Sequence, residues 1–356
     1  MVSGVKSVVD ADAKKRGFPY VESRALWRLD ETDGSTISET VFENEGRLDG
    51  ARDGFMCATP AIDDPMTVFA TGFQGGDSGW DGKTYDEDPM FLLYGGLAFA
   101  SKLKFGDRAV GADPETLFHV ALNVSDEFQP MQGMRVFHGH GASDGSVVVS
   151  AASSTGPFDE NYGFHFSAMA VDDATGALKW ARIYEAGLHA SHPYALVLSP
   201  AGDVVIAGLA VPSANDDFYN PVGRLLKARG GDGAQVFDAR QKDRETRDYN
   251  VECYGVDNAP AGGFVVTCGN GPEAPPKWMD CHEAAWDAYL YETDADGKTL
   301  WAANLTDASA ECINDAGEFV VTARDGGFAV YVDSGTLGRP GTGGNFGLVR
   351  LAAEGT

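Results

Sequence analysis

Two histidines and a tyrosine are the residues of this 356-residue chain whose types and spacing best suit proton transfer. Phe137-His138-Gly139-His140-Gly141 is its most unusual piece. Alternate residues of an extended strand share a side, so a strand here would project His138 and His140 together. Imidazole titrates near neutral pH and binds metals, so such a pair suits acid–base work or ligation once other residues join it. Tyr194, two residues after His192, lies in a similar strand-length run. His138, His140 and Tyr194 therefore form the candidate catalytic set. The competing reading is that both histidines are satisfied by neighbouring backbone. No His-Glu-x-x-His, P-loop or dinucleotide fingerprint occurs.

A second group of candidates lies in long, acidic, aromatic-rich segments. Residues 75–96 contain Asp77, Trp80, Asp81, Tyr85, Asp86, Glu87 and Asp88. Asp217 and Tyr219 follow in a third segment, and Trp278, His282 and Trp286 in a fourth, residues 269–286. Aromatic faces stack on sugar rings while carboxylates accept hydroxyl hydrogen bonds. Trp80, Tyr85, Asp217, Tyr219, Trp278, His282 and Trp286 are accordingly the candidate ligand-binding residues. Calcium takes several carboxylate oxygens, and Asp77, Asp81, Asp86 and Asp88 are the candidate calcium ligands, though without the EF-hand ladder. The acidic turns at Asp294-Ala295-Asp296-Gly297 and Asp30-Glu31-Thr32-Asp33-Gly34 are explained by turn chemistry.

Acidic residues outnumber basic ones 53 to 27, for a net charge of −26. Phosphate backbones repel such a chain, which argues against nucleic acid and leaves protein or glycan partners. No run approaches the roughly 18 apolar residues of a membrane span. Residues 1–23 lack an apolar signal core, yet the composition fits secretion or an organelle lumen better than cytoplasm. Of five cysteines, Cys253, Cys268, Cys281 and Cys312 fall close together without Cys-x-x-Cys spacing, so zinc is poorly supported. Cys268–Cys281 and Cys253–Cys312 are conceivable bridges, with buried free thiols as the alternative.

The elements that must position these residues read as short strands and tight turns. Residues 259–305 carry the pattern most clearly, with a Gly-Gly turn, Phe264-Val265-Val266-Thr267, Asp287-Ala288-Tyr289-Leu290-Tyr291-Glu292, an Asp-Gly turn and Leu300-Trp301-Ala302-Ala303-Asn304. A unit of about 60 residues repeats this grammar. Second strands fall at 66–72, 146–150, 204–208, 264–267 and 328–332. Third strands fall at 97–105, 164–171, 223–228, 287–292 and 346–351, and fourth strands at 116–121, 178–182, 235–238 and 300–304. First strands, expected to line a central channel, carry Cys57, Arg135, His138, His140, Tyr194, Cys253 and Tyr254, with His192 just before Tyr194.

The chain resembles the PQQ-like and delta-60-type β-propeller repeats. Gly262-Gly263-Phe264-Val265-Val266 and Asp287-Ala288-Tyr289-Leu290, followed by Asp294-Ala295-Asp296-Gly297 and Trp301, carry the likeness best. It implies an all-β propeller of four-stranded antiparallel blades, not a bound PQQ. Five second strands give five blades, with six or seven if the N-terminal region, including a strand near 36–42, adds more. Arg24-Ala25-Leu26-Trp27-Arg28-Leu29 resembles Lys298-Thr299-Leu300-Trp301-Ala302-Ala303 and is expected to close the ring as the last blade's outer strand. The domain reading is an extension at 1–23 and one propeller over 24–356. The expected function is a non-enzymatic binding or interaction scaffold using the acidic, aromatic loops, with no certain cofactor and calcium as the one candidate. The alternatives are a carbohydrate-active lyase or hydrolase using the His/Tyr set, and a structural subunit of a larger assembly.

Overall fold

The computed structural model describes residues 2–8, 21–29, 32–33, 35–42, 52–76, 96–106, 114–122, 124, 129–154, 164–185, 188, 190–212, 221–241, 249–272, 286–306, 315–334 and 345–352. These residues form six antiparallel sheets, four of four strands and two of three, with one short 3-10 turn at Gly141–Ser143. The first sheet holds Val2–Val8 (β1), Val21–Leu29 (β2) and Thr36–Phe42 (β3). The second holds Arg52–Pro60 (β4), Thr67–Gly76 (β5), Gly96–Lys104 (β6) and Glu115–Ala121 (β7). The third holds Gln129–His138 (β8), Ser146–Ser154 (β9), Phe164–Asp172 (β10) and Leu178–Tyr184 (β11). Ala190–Leu198 (β12), Val204–Val211 (β13), Val222–Ala228 (β14) and Gln235–Gln241 (β15) make the fourth. The fifth comprises Tyr249–Asn258 (β16), Phe264–Pro272 (β17), Asp287–Thr293 (β18) and Thr299–Asn304 (β19). The sixth comprises Asp315–Thr322 (β20), Phe328–Ser334 (β21) and Asn345–Leu351 (β22).

The chain divides into two compact units, Met1–Ile183 and Tyr184–Thr356. Val2–Val8, inside the stretch read as an extension, is a strand paired with β2. The segment Arg24–Leu29 does not serve as the outer strand of the last sheet. It belongs to β2, whose two edges are taken by β1 and β3. A strand with both edges hydrogen-bonded has no edge left to lend.

Each four-stranded sheet is a meander in chain order, with short connections from its first strand to its second. Gly145, Gly202, Gly262 and Gly326, all at positive φ, turn the first strand into the second, and Gly176, Gly233 and Gly297 turn the third into the fourth. Only glycine enters that region without a Cβ penalty. Asp172 and Asp294 fix two of these turns through their own backbone. Asp172 accepts from the Ala174 and Thr175 N–H groups, and Asp294 from those of Asp296 and Lys298. The acidic turns are thus spent on turn geometry.

The middle strands read as near-continuous Val, Ile, Phe and Ala because both faces are covered. β10 is buried over eight of its nine residues, whereas β19 alternates half-buried and exposed. In the first unit, Phe69, Val136, Val147, Val149 and Met169 form one core and Leu26, Phe55, Val68 and Phe99 another. In the second, Val205, Leu225, Cys253, Phe264 and Tyr291 form one core, and Val265, Leu290, Val320 and Phe328 another. Each fully buried side chain of this size contributes roughly 1.5–3 kcal/mol. Close packing of successive sheets needs glycine at matching places. A Cβ on Gly133 would meet Thr71 Oγ1 at 2.0 Å, and one on Gly317 would meet Thr267 Oγ1 at 1.8 Å.

Candidate functional site

The first strands share one irregularity. Opposite the second strand, register slips by one residue at Phe55/Cys57, Gly133/Arg135, Pro193/Ala195, Cys253/Gly255 and Gly317/Phe319. The extra residues at these slips, outside the ladder register, are Met56, Met134, Tyr194, Tyr254 and Glu318. In the last four sheets with a turn glycine, pairing resumes five positions beyond it, at Ser150, Ala207, Thr267 and Tyr331. A bulge sets an extra residue out of the ladder and re-aims its side chain, and bulges concentrate beside active sites.

In the second unit the three bulge residues are all polar, and two of them touch. Tyr194 lies between His192 and Tyr254, with ring centroids 4.7 and 4.9 Å away. Tyr254 donates its hydroxyl to Glu252 Oε2 at 2.7 Å. Glu252 and Tyr254 are two residues apart on β16 and so share a side of the strand. Gly255 lets β20 approach, since a Cβ there would stand 3.0 Å from the Glu318 carbonyl oxygen. Tyr194, Glu252, Tyr254 and Glu318 are each half-buried, which keeps them within reach of a ligand.

The electrostatics follow from that burial. Loss of water holds the Glu252 carboxyl above its ordinary value, against the lowering effect of the Tyr254 hydrogen bond. The Tyr254 phenol is pushed well up, first by burial and then by Glu252, Tyr194 and Glu318. His192 is buried and its pKa falls to about 4, so its ring is neutral at pH 7. The row therefore offers tilted rings in contact, a reluctant carboxyl and a second carboxyl on the next strand.

Beneath it, Cys253 is disulfide-bonded to Cys268, directly opposite on β17, with Cα atoms 3.9 Å apart. This replaces the pairings with Cys281 and Cys312 that the sequence suggested. Cys57 is a free, half-buried thiol. Behind β12, the buried Arg224 guanidinium donates to both Asp238 carboxylate oxygens and to Ser191 Oγ.

Within the expected His/Tyr set, the two histidines do not share one side of a strand. His138 and His140 belong to the first unit and Tyr194 to the second. His138 closes β8, and His140 lies beyond the strand and is exposed, so alternation does not pair them. His138 Nδ1 accepts from the Ile62 N–H at 3.0 Å, which makes Nε2 the protonated nitrogen; Nε2 donates to Asp173 Oδ2 at 2.9 Å. The ring also packs on Phe69, with centroids 4.8 Å apart. His138 is thus a tie between the turn after β4 and the turn after β10.

Trp286 is half-buried, packs where a Cβ on Gly269 would meet its ring at 2.8 Å, and accepts the Asp315 N–H at its carbonyl. Trp80, Tyr85, Asp217, Tyr219, Trp278, His282 and the candidate calcium ligands Asp77, Asp81, Asp86 and Asp88 lie outside the described residues. Among the described residues no group of three or more His, Cys, Asp or Glu side chains is placed to hold a metal. No helix among them is long and apolar enough to cross a membrane. Sequence reading marked Tyr194 and Tyr254 but missed Glu252 and Glu318. The spacing Glu252-x-Tyr254, parallel to His192-x-Tyr194, was the available signal.

No protein-family model matches the sequence, and no curated protein does. Solved structures do. The alpha-L-arabinanase of Penicillium chrysogenum, complexed with arabinobiose, aligns at a TM-score of 0.50 and 10% identity, over 79% of this chain and 74% of that one. The alpha-L-arabinofuranosidase Arb93A of Fusarium graminearum aligns at 0.48 and 11%, over 80% and 78%. BamB of Moraxella catarrhalis aligns at 0.40 and 11%, over 98% and 88%. The chain has the β-propeller fold. Its six sheets are the blades, and the bulge row runs along the first strands of the fourth, fifth and sixth. The resemblance to PQQ-like repeats holds at the level of this propeller fold.

Proposed function

We propose that this propeller is a carbohydrate-active enzyme, a glycoside hydrolase or lyase, working at the bulge row. The observation that carries the reading is the sequence of bulge residues Tyr194, Tyr254 and Glu318 on successive first strands, with Glu252 bound to the Tyr254 hydroxyl. The tyrosine rings supply faces for a sugar ring, and the carboxyls accept its hydroxyl hydrogens. Burial raises the Glu252 pKa, the direction that suits a carboxyl to donate a proton to the glycosidic oxygen as the bond to the anomeric carbon breaks. In the hydrolytic form water supplies the hydroxyl to that carbon, and Glu318 is the carboxylate available to take the proton of the water. The arabinanase likeness at 10% identity concerns the fold, so these four side chains bear the proposal. The buried Cys253–Cys268 disulfide supports action outside the reducing cytosol.

The test is reducing-end release from a panel of arabino-, galacto- and xylo-oligosaccharides. Glu252→Gln should lower turnover by about 100-fold or more. The alkaline limb of the wild-type pH–rate profile should fall as Glu252 loses its proton. Full turnover by Glu252→Gln would refute the assignment. A second reading, binding without turnover, is favoured by the commitment of the Tyr254 hydroxyl to Glu252, which fixes a rigid aromatic surface. Saturable oligosaccharide binding with no reducing-end release would select it, in line with a scaffold role.

A further inference from the structure

We propose that the Cys253–Cys268 disulfide is the positioning device of the Tyr254–Glu252 pair, clamping the fifth blade's bulge so that both side chains stay on the ligand side of β16. The inference rests on the reading of the bulge row as the functional site. It begins with a comparison within the molecule. The pairs that directly precede the five bulges are Phe55–Gly72, Gly133–Ala151, Pro193–Gly208, Cys253–Cys268 and Gly317–Val332. The covalent one sits where the bulge residue, Tyr254, is hydrogen-bonded to a carboxylate of its own strand.

A bulge interrupts the ladder and leaves one residue unpaired, so it is where register is least specified. A slip of one residue would turn Tyr254 and Glu252 toward the core and bring Cys253 out. Cys253 lies between them in sequence, so its side chain leaves the opposite side of the strand. There it is fully buried in the core with Val205, Leu225, Val251 and Phe264. Cys268 is equally buried. The bond therefore locks the pairing partner at the residue where the slip would start. Its surroundings are shaped for it, because a Cβ on Gly223 of β14 would stand 2.8 Å from Cys253 Sγ. Neither cysteine is open to solvent, so the link acts as a permanent clamp and not as a reversible switch.

The experiment needs no carbohydrate. The Glu252 carboxyl is followed by carbon-13 NMR against pH, with Glu252→Gln assigning the signal. In the wild type it should titrate above the ordinary value of 4.5. In Cys253→Ala/Cys268→Val the midpoint should rise further, as the slip turns the carboxyl toward the core and away from the Tyr254 hydroxyl that holds it down. Val265→Ala, in the same blade with the disulfide intact, should leave it in place despite a comparable loss of stability. An unchanged midpoint in the folded double variant would overturn the proposal. Should that variant fail to fold, the wild type is unfolded in urea with a phosphine reductant, so that the buried bond is reached, and refolded in the reductant, and its Cys253 and Cys268 thiols are mapped by mass spectrometry. The Glu252 signal should then move with the appearance of those two thiols; thiol release without movement would overturn the clamp. Since Glu252 is read without a sugar, a moved midpoint in a protein that binds no oligosaccharide would sink the carbohydrate reading alone.

Discussion

His192 supplies a pH dependence that is worked directly from the structure. Its ring is buried beneath Tyr194, and burial lowers its pKa from 6.5 to about 4, opposed by a hydrogen bond with the Pro193 backbone. In the unfolded chain the same ring titrates near 6.5. Between these values the unfolded state binds more protons than the folded one, so stability rises with pH. The contribution of the neutral ring is fully present above about 6.5 and is lost as pH falls to about 4. At about 1.4 kcal/mol per tenfold change in proton affinity, the loss amounts to about 3 kcal/mol. The perturbation is His192→Phe, which keeps an aromatic ring against Tyr194 and removes the titration. The assay is urea unfolding at pH 7.5, 6.5, 5.5 and 4.5, read as the stability difference between wild type and variant at each pH. That difference cancels the acid-induced losses both proteins share, including those from the hydrogen-bonded carboxylates of Asp64 and Asp172. It should shift against the wild type by most of about 3 kcal/mol between pH 6.5 and 4.5. A flat difference would refute the reasoning, as would an imidazole NMR midpoint for His192 near 6.5.

Three other perturbations test the packing argument. Arg224→Met leaves the half-buried Asp238 without its bidentate partner and should cost about 1–3 kcal/mol in urea unfolding, much of it recovered in Arg224→Met/Asp238→Leu. Gly317→Ala drives a Cβ into Thr267 Oγ1 and should cost about 1–3 kcal/mol, with partial rescue by Thr267→Ala. His138→Phe removes the acceptor of the Ile62 amide and the donor to Asp173; it should speed hydrogen exchange at Ile62 and cost about 1–3 kcal/mol, without changing any carbohydrate turnover. Loss of turnover in His138→Phe would restore His138 to the candidate catalytic set.

The strands were legible because the middle ones are covered on both faces, and only runs such as Val147-Val148-Val149 or Val204-Val205-Ile206 tolerate that. Turn glycines were legible for the same local reason, since Gly202, Gly262 and Gly326 need positive φ. Partnership was less legible. Arg24-Ala25-Leu26-Trp27 looks like an outer strand because its local pattern matches 298–303, and a local pattern says strand without saying whose. Its own neighbours, Val2–Val8 and Thr36–Phe42, take both its edges. The count of six sheets follows from that strand's having its own sheet, an outcome the N-terminal pattern had left open.

The site was hidden for a different reason. Hydrophobic alternation assigns faces on the assumption that each residue advances the ladder by one, and a bulge breaks that assumption without changing composition. Cys253 and Cys268 show the consequence. Fifteen residues apart, they meet only if β16 and β17 pair in one register up to Cys253 and shift immediately after it. A reader who counts uninterrupted pairs back from the turn at Gly262 reaches Cys268 opposite Tyr254 and finds no disulfide. The same shift decides which side of β16 carries Glu252 and Tyr254. Thus the feature that concealed the bridge is the one that builds the Tyr–Glu pair. Its recurrence in five blades, with polar bulge residues on the last three, shows that the scaffold repeats one backbone irregularity and that the side chains it sets out of the ladder differ from blade to blade.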